Sequence, residues 1–158
     1  MSPEYLAGFF DGEGCIDTQR MYPSEAKARF YVRPRVRISQ AVSGRCVIDL
    51  LTSQFGGYVA FRKAQNSKQQ DSVSWEFLDK RGIVKLLRAV EPFLVVKKEQ
   101  ARLVLWWIEN MSGRHGKNGP NDPLEAARKL FSQELKLMKQ DPQRLSEKAV
   151  QGILALMR

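Results

Sequence analysis

Residues 5–14 (YLAGFFDGEG) constrain the fold of this chain more than any other stretch, because together with Ser2 and Pro3 they define a short helix at both of its ends. Ser2 is a good N-cap, and Pro3 suits the first helical turn, where a missing backbone N–H costs nothing. Gly12 and Gly14 are expected to end the helix, since glycine adopts the left-handed conformation found just past a helix end. The sequence therefore predicts a short N-terminal helix that stops at these glycines.

One face of the predicted helix consists of small residues. Gly8 and Gly12 lie four positions apart, which places both on the same side of the helix. Without side chains at these positions, the backbone of another helix can approach closely, as in small-xxx-small packing. The spacing predicts a helix–helix seam along this face.

The same helix carries a carboxylate, Glu13, at its C-terminal end. The helix macrodipole is negative there, so a carboxylate is unfavourable unless a cation neutralises the site. Carboxylate and carbonyl oxygens are hard ligands that suit Mg²⁺. The alternative is that Asp11 and Glu13 are only polar residues in a turn, and the tetrapeptide DGEG taken alone favours that interpretation.

Charge and composition narrow the classes of function. The 158 residues carry a net charge of +9, which indicates a polyanionic partner, either nucleic acid or an anionic membrane surface. No apolar window is long enough to span a membrane, and the N-terminus does not resemble a secretory signal. Cys15 and Cys46 are isolated, which is typical of reduced thiols rather than of a zinc site. We expect an intracellular protein with one domain over residues 1–158.

The clearest strand pattern covers residues 28–39. Apolar residues alternate there with an outward series, so one face is buried and the other presents a row of arginines. Like charges two positions apart repel each other, whereas a phosphate backbone or a guanine edge would bind such a row. A solvated outer face is the alternative interpretation. The outward residues are Tyr31, Arg33, Arg35, Arg37 and Ser39, and the inward ones are Phe30, Val32, Val36 and Ile38.

The remaining chain alternates helices and strands. Ser43 is a candidate N-cap for a helix to about Phe55, with Val47, Leu50, Leu51 and Phe55 as its apolar stripe, and Asp79 caps a helix over about 80–90. The predicted strands are 15–22, 28–39, 58–63 and 72–78, and the later helices are 97–111, 124–139 and 143–157.

This order predicts an α+β fold in which a four-stranded antiparallel sheet has its helices on one face. The opposite face stays open, and a basic, polar sheet face suits a nucleic-acid groove. The residues expected there are Gln19, Tyr31, Arg33, Arg35, Arg37, Arg62, Ser72, Ser74 and Glu76.

Residues 6–14 (LAGFFDGEG) resemble the motif of the LAGLIDADG homing endonucleases at almost every position. The resemblance implies an αββαββα core, over about residues 2–111, with a curved DNA-binding sheet and additional C-terminal helices over about 124–157. It also implies Mg²⁺-dependent hydrolysis of both strands of a long pseudo-palindromic DNA site, with Mn²⁺ as a substitute and no small-molecule cofactor. Because the chain has a single motif, the resemblance implies a homodimer whose seam includes Gly8 and Gly12.

The resemblance also implies roles for individual residues. Glu13 is the metal-binding acid, in place of the more usual Asp, and the carbonyl of Gly12 is an additional metal ligand. Gln40 orders water in the active site. Lys97 either stabilises charge at the phosphate or helps to position the nucleophile, and a shift of one residue would give this role to Lys98. Gln40 could instead cap the following helix, and Lys97 could simply extend into solvent.

Two other functions remain open within the same family. One is an RNA-binding splicing cofactor, or maturase, and the other is a DNA-binding regulator without catalysis. Loss of the motif acid would favour either of them, and Glu13 is present. The sequence therefore favours a site-specific double-strand DNA endonuclease.

Overall fold

The computed structural model describes residues 1–21, 31–66, 68–111, 113 and 122–158. These residues form an α+β arrangement, as predicted. The helices are α1 (Pro3–Glu13), α2 (Arg45–Phe55), α3 (Lys80–Val90), α4 (Lys98–Met111), α5 (Pro123–Gln140) and α6 (Ser146–Leu156). The strands are β1 (Gly14–Met21), β2 (Tyr31–Ala41), β3 (Tyr58–Arg62) and β4 (Ser72–Phe77).

The strands form one four-stranded sheet in the order β1-β2-β4-β3. Both strands that neighbour β4 run antiparallel to it. The order of helices and strands confirms the predicted core. Tyr22, Phe30 and His115, together with the predicted turn over 23–26, lie outside the described residues.

The chain divides into two compact units, and the first comprises Met1–Ile16 with Arg35–Val95. Its core is built around Trp75, which is fully buried and packs edge-on against Phe77 with ring centroids 4.9 Å apart. The indole nitrogen of Trp75 donates a hydrogen bond to the carbonyl of Gly56, just past the end of α2, at 2.7 Å. This bond connects the end of the helix to β4, one of the two interior strands of the sheet. The predicted inward set Val73, Trp75 and Phe77 is therefore confirmed.

The end of α1 differs from the prediction. Gly14 has an extended backbone (φ −74°, ψ 153°), so the helix passes directly into β1 without a left-handed residue. Gly14 is required for another reason, because a Cβ there would lie 2.5 Å from the Phe10 ring and from the Phe10 carbonyl. The N-terminal cap is as predicted, with the Tyr5 N–H donating to the Ser2 hydroxyl at 3.3 Å.

The beginning and the buried face of α2 also differ from the prediction. Residues 42–44 form a 3₁₀ turn, so Gly44 rather than Ser43 is the N-cap, and no side chain caps the helix. The buried residues are Ile48 and Leu51, whereas Leu50 is 56 % exposed. The short helix lies on the sheet slightly rotated from the stripe that hydropathy alone suggests.

The second unit comprises Asp17–Pro34 with Val96–Arg158 and is mainly helical. Trp107 of α4 stacks on Phe131 of α5, with ring centroids 4.2 Å apart. The carboxylate of Glu99 on α4 accepts hydrogen bonds from the N–H and the hydroxyl of Ser146, at 2.8 and 2.7 Å. Glu99 thereby caps α6, whose own N-cap residue, Leu145, supplies no capping side chain. No helix among the described residues is long and apolar enough to cross a membrane.

Candidate functional site

The carboxylate that the sequence singles out lies at the C-terminal end of α1. Glu13 is the last residue of the helix and its side chain is exposed. No basic residue occupies the last turn of α1, and no hydrogen bond or ion pair joins the side chain of Glu13 to another described residue of its unit. The negative end of the helix dipole and an acidic side chain thus coincide without compensation from the last turn, an arrangement that favours a bound cation.

The second acid of the motif has a different environment. Asp11 Oδ2 accepts a hydrogen bond from the Val95 backbone N–H at 2.7 Å. Asp11 therefore holds the segment that follows the 3₁₀ turn at Glu91–Phe93 against α1. The structure separates the two acids, because Asp11 positions backbone while Glu13 stays open to solvent.

The glycine face of α1 is uncovered within the first unit. Gly8 and Gly12 are both exposed, and a Cβ added at either position would meet no atom within 4 Å. Tyr5, one turn before Gly8, is 60 % exposed although it is a large aromatic residue. The face is thus smooth, partly apolar and available to a second helix.

Gln40 lies within β2, opposite Val73 of β4 in the antiparallel register. Its side chain is half-buried and leans towards Gly44, where an added Cβ would be 3.1 Å from Gln40 Oε1. The absence of a side chain at position 44 therefore leaves room for the amide of Gln40. Arg45, which follows, is exposed and pairs with Asp49 one turn along α2 at 3.4 Å.

Lys97 belongs to the second unit, where it immediately precedes α4. Its carbonyl accepts the Ala101 N–H at 2.9 Å, so its backbone begins the first turn of the helix. Both Lys97 and Lys98 are half-buried. The choice between them as the active-site lysine stays a prediction.

The register of the sheet places the predicted DNA-contacting residues of the first unit in rows. Residues directly opposite each other share a face. One row contains Tyr58, Glu76 and Arg37, and another contains Arg62 and Ser72 together with Ala41.

Between these rows lies Ser74, and the expectation that it is open to solvent is wrong. The residue is 5 % exposed, because its short side chain lies between Ser39 of β2 and Ala60 of β3, whereas the longer Glu76 on the same strand is half-buried. The hydroxyls of Ser74 and Ser39 lie 3.1 Å apart and share a hydrogen bond. Ser39 is the exposed member of that pair.

In the second unit, Arg33 of β2 is held by Gln19 of β1. Both Nε and Nη2 of Arg33 donate to Gln19 Oε1, at 2.9 and 2.8 Å. The structure therefore joins two residues that the sequence suggests only as separate members of the outer face.

Comparison with known proteins agrees with this arrangement. Residues 6–107 match the LAGLIDADG endonuclease family, a range that covers more than half of the chain. The DNA endonuclease I-CreI of Chlamydomonas reinhardtii is 32 % identical over 123 residues, which cover 77 % of this chain and 69 % of that protein. The chain belongs to the LAGLIDADG endonuclease family.

Solved structures of homing endonucleases share the fold. The homing endonuclease I-CvuI, crystallised with its target, matches with a TM-score of 0.67 and 22 % identity, covering 99 % of this chain and 94 % of that chain. The archaeal intron-encoded homing endonuclease I-Vdi141I, complexed with DNA, matches with a TM-score of 0.63 and 18 % identity, covering 98 % of this chain and 96 % of that chain. At these identities the likeness concerns the fold alone.

Sequence reasoning missed one basic residue of this LAGLIDADG chain. The guanidinium of Arg128 on α5 lies over the Tyr31 ring, 4.5 Å from its centroid. Only 9 % of the Arg128 surface is exposed. A cation over an aromatic face is attracted by the ring quadrupole. The helical periodicity of α5 does not distinguish Arg128 from the neighbouring basic residues, so this contact could not be predicted from the sequence.

A cavity at the hairpin between β3 and β4 was also missed. It has a volume of about 630 Å³, and Asp71 shapes the loop by accepting the Ala64 N–H at 2.7 Å. The glutamines of this loop are the signal that could have suggested a polar binding surface. The lining residues are Arg62, Lys63, Ala64, Gln65, Gln69, Gln70 and Ser72.

Proposed function

We propose that this LAGLIDADG protein is a site-specific endonuclease that hydrolyses both strands of a DNA duplex as a homodimer. The observation that carries the proposal is the position of Glu13, an exposed carboxylate at the end of a helix whose glycine face is open. Membership of the family and the likeness to the DNA endonuclease I-CreI support the reaction class.

The residues at the end of α1 fit a divalent cation. Glu13 supplies a carboxylate, and the carbonyl of Gly12, in the last turn of the helix, supplies a second oxygen, so the donors are the hard ligands that Mg²⁺ and Mn²⁺ accept. No cluster of three or more His, Cys, Asp or Glu ligands occurs among the described residues. A cation bound there would polarise the scissile phosphate and lower the pKa of its bound water.

The dimer brings the two acids together. In this proposal the Gly8/Gly12 face of one chain packs on the same face of a second chain, which places one Glu13 beside the other near the two-fold axis. An isologous interface uses the same patch on both chains, so a single exposed glycine face is sufficient. Each chain then contributes one carboxylate to a shared site.

Two further residues are proposed to act in the same reaction. Gln40, whose amide has room beside Gly44, orders water next to the scissile phosphate. Lys97, at the start of α4, stabilises the charge that develops on the phosphate in the transition state. Both roles require bound DNA, and the variants Q40A and K97A test them.

The outer face of the sheet is the proposed DNA-binding surface. A strand ribbon fits the major groove, and arginines contact both phosphates and guanine edges there. The net charge of +9 supports a polyanionic partner. Ser74 is a weak member of this surface because its side chain is buried, whereas Tyr58 is exposed on the same face and is added to it.

Selection of cleaved sites from a library of duplexes, in Mg²⁺ and separately in Mn²⁺, tests the proposal. The wild-type chain is expected to enrich a long pseudo-palindromic site, and E13Q is expected to bind that site without cutting it. Q40A and K97A are expected to cut slowly while retaining their affinity. E4Q is the matched control, since Glu4 is an exposed acid in the first turn of the same helix.

Binding and cleavage must be measured separately. I-CvuI was crystallised with the I-CreI target in the presence of Mg with the DNA not cleaved, so for that protein a bound complex was observed without cleavage. Specific DNA binding without cleavage in either metal would refute the nuclease assignment and leave a DNA-binding regulator. Preference for a structured intron RNA over every duplex would instead support a maturase.

A further inference from the structure

The contact between Gln19 and Arg33 fixes the orientation of both side chains. Arg33 donates from Nε and from Nη2 to the same oxygen, Gln19 Oε1, at 2.9 and 2.8 Å. Arginine has no hydrogen-bond acceptor, so the oxygen of the amide must face the guanidinium and the amide cannot be flipped. Both residues are half-buried, which limits the alternatives open to them.

The contact also decides which hydrogen-bonding groups remain. Nε and Nη2 form one side of the guanidinium, and Gln19 occupies that side. The other side, formed by Nη1 and the second hydrogen of Nη2, still presents two parallel donors. Gln19 retains only its NH₂ group, because its oxygen already accepts two hydrogen bonds. The pair therefore presents donors alone.

We propose that Gln19 and Arg33 act as one donor-only unit that reads guanine in each half of the DNA site. This inference rests on the proposed function and specifies the substrate of the same surface. In the major groove, guanine presents two acceptors, O6 and N7, which match two parallel donors. Adenine and cytosine each present an amino donor there, which the pair has no acceptor to receive.

Pairing with Arg33 changes the base that Gln19 would recognise on its own. A free glutamine amide reads adenine, with its oxygen accepting from N6 and its nitrogen donating to N7. Here the oxygen is committed to Arg33, so adenine recognition by Gln19 is suppressed. Removal of Arg33 would release that oxygen, and the specificity at this base pair should then change from guanine to adenine.

A base edge is a better match for the pair than a phosphate. A phosphate accepts hydrogen bonds from many directions, so it does not require an arginine whose orientation is fixed by a neighbour. A guanine edge offers two acceptors in one plane and rewards a rigid fork. Fixing Arg33 with Gln19 also lowers the side-chain entropy lost on binding, since the rotamer is already restricted.

The test is the base preference of the wild-type chain and of R33A, measured by binding to all four variants of every base pair in the selected site. The wild-type chain should prefer guanine at one pair in each half-site by about 10-fold or more. R33A should lose that preference and prefer adenine at the same pair. Q19L should weaken the guanine preference without creating one for adenine.

Two controls make the outcome decisive. K148A removes a positive charge from an exposed position on α6 and should leave every base preference unchanged. Thermal unfolding of each variant establishes that it is folded. An equal loss of affinity for all bases in R33A would place the arginine on a phosphate and overturn the proposal. A wild-type preference for adenine that disappears in Q19L would overturn it as well.

Failure of the endonuclease assignment can be distinguished from failure of the proposal for Gln19 and Arg33. If the wild-type chain selects no duplex site, the endonuclease assignment fails before any base preference is measured. If it selects and cuts a site in which no guanine depends on Arg33, only the proposal for the Gln19–Arg33 pair fails.

Discussion

Replacing Gly8 and Gly12 together by alanine should stabilise the isolated chain and weaken its self-association. Neither glycine has a positive φ, and a Cβ at either position meets no atom within 4 Å, so alanine introduces no strain in the single chain. Glycine within a helix costs about 0.5–1 kcal/mol relative to alanine. Gly12 is in the last turn, where the gain is smaller, so the total is roughly 1–1.5 kcal/mol.

The effect on the dimer has the opposite sign. An overpacked contact costs roughly 1–3 kcal/mol, and two-fold symmetry repeats it in both chains. The lower end of this range, about 2 kcal/mol for the two repeated contacts, raises the dimer dissociation constant about 30-fold. The Tm of the isolated chain should meanwhile rise by roughly 2–6 °C, as expected for a chain of this size.

Sedimentation equilibrium measures the dissociation constant, and thermal unfolding at concentrations below it measures the single chain. G152A is the matched control, because Gly152 is a helical glycine on α6 whose added Cβ would meet only the Leu130 Cδ2 methyl, at 3.3 Å. It should leave self-association unchanged. An unchanged dissociation constant in the G8A/G12A variant, together with a stabilised single chain, would refute the seam on α1.

Three further predictions concern the DNA surface and the two cores. DNA affinity should fall steeply as salt rises, with a slope in log–log form of about −0.9 per phosphate contact, and a flat response would contradict the basic sheet face. Burial alone would raise the pKa of the Glu99 carboxyl, but the hydrogen bonds from Ser146 and Arg102 outweigh it and lower that pKa below its ordinary value. Because its folded-state pKa is lowered, Glu99 stabilises the fold at neutral pH, and this contribution is lost as the pH falls through the folded-state pKa. E99Q should therefore reduce the difference in Tm between pH 7 and pH 3. An unchanged difference would refute the role of the carboxylate. W75F should lower the free energy of unfolding by about 1–3 kcal/mol, measured by urea denaturation, since it removes the bond to the Gly56 carbonyl, and a neutral effect would show that this bond is dispensable.

Local patterns in the sequence predict most of the fold, because they act through near neighbours. The Ser2 cap, the Asp79 cap and the inward series on β4 depend on residues within a few positions of each other, and all three are confirmed. Alternation along β2 is confirmed in the same way, with Val32, Val36 and Ile38 buried.

The features that sequence reasoning missed depend on long-range packing. Gly14 is required by the position of the Phe10 ring rather than by its own φ. The short side chain of Ser74 is buried between neighbours on two other strands and is hydrogen-bonded to Ser39. Leu50 is exposed because α2 packs through Ile48 and Leu51 instead.

In the candidate site, too, some features follow from local sequence and others from contacts between distant residues. The resemblance to the family motif implies roles for Glu13, Gln40 and Lys97, and these catalytic roles stay predictions. The pairing of Gln19 with Arg33, however, joins residues on different strands. The pattern of residues along the sequence does not indicate which of the arginines will hydrogen-bond to Gln19. The stacking of Arg128 on Tyr31 is invisible for the same reason.

If two chains share one site, each contributes one Glu13 carboxylate to it. A heterodimer, purified through two different affinity tags, in which one chain is wild type and the other carries E13Q, measures the contribution of one carboxylate. This heterodimer should bind the selected duplex like the wild-type dimer, and its rate of double-strand cleavage should fall by about 100-fold or more. A heterodimer that cuts both strands at half the wild-type rate or faster would contradict the shared site.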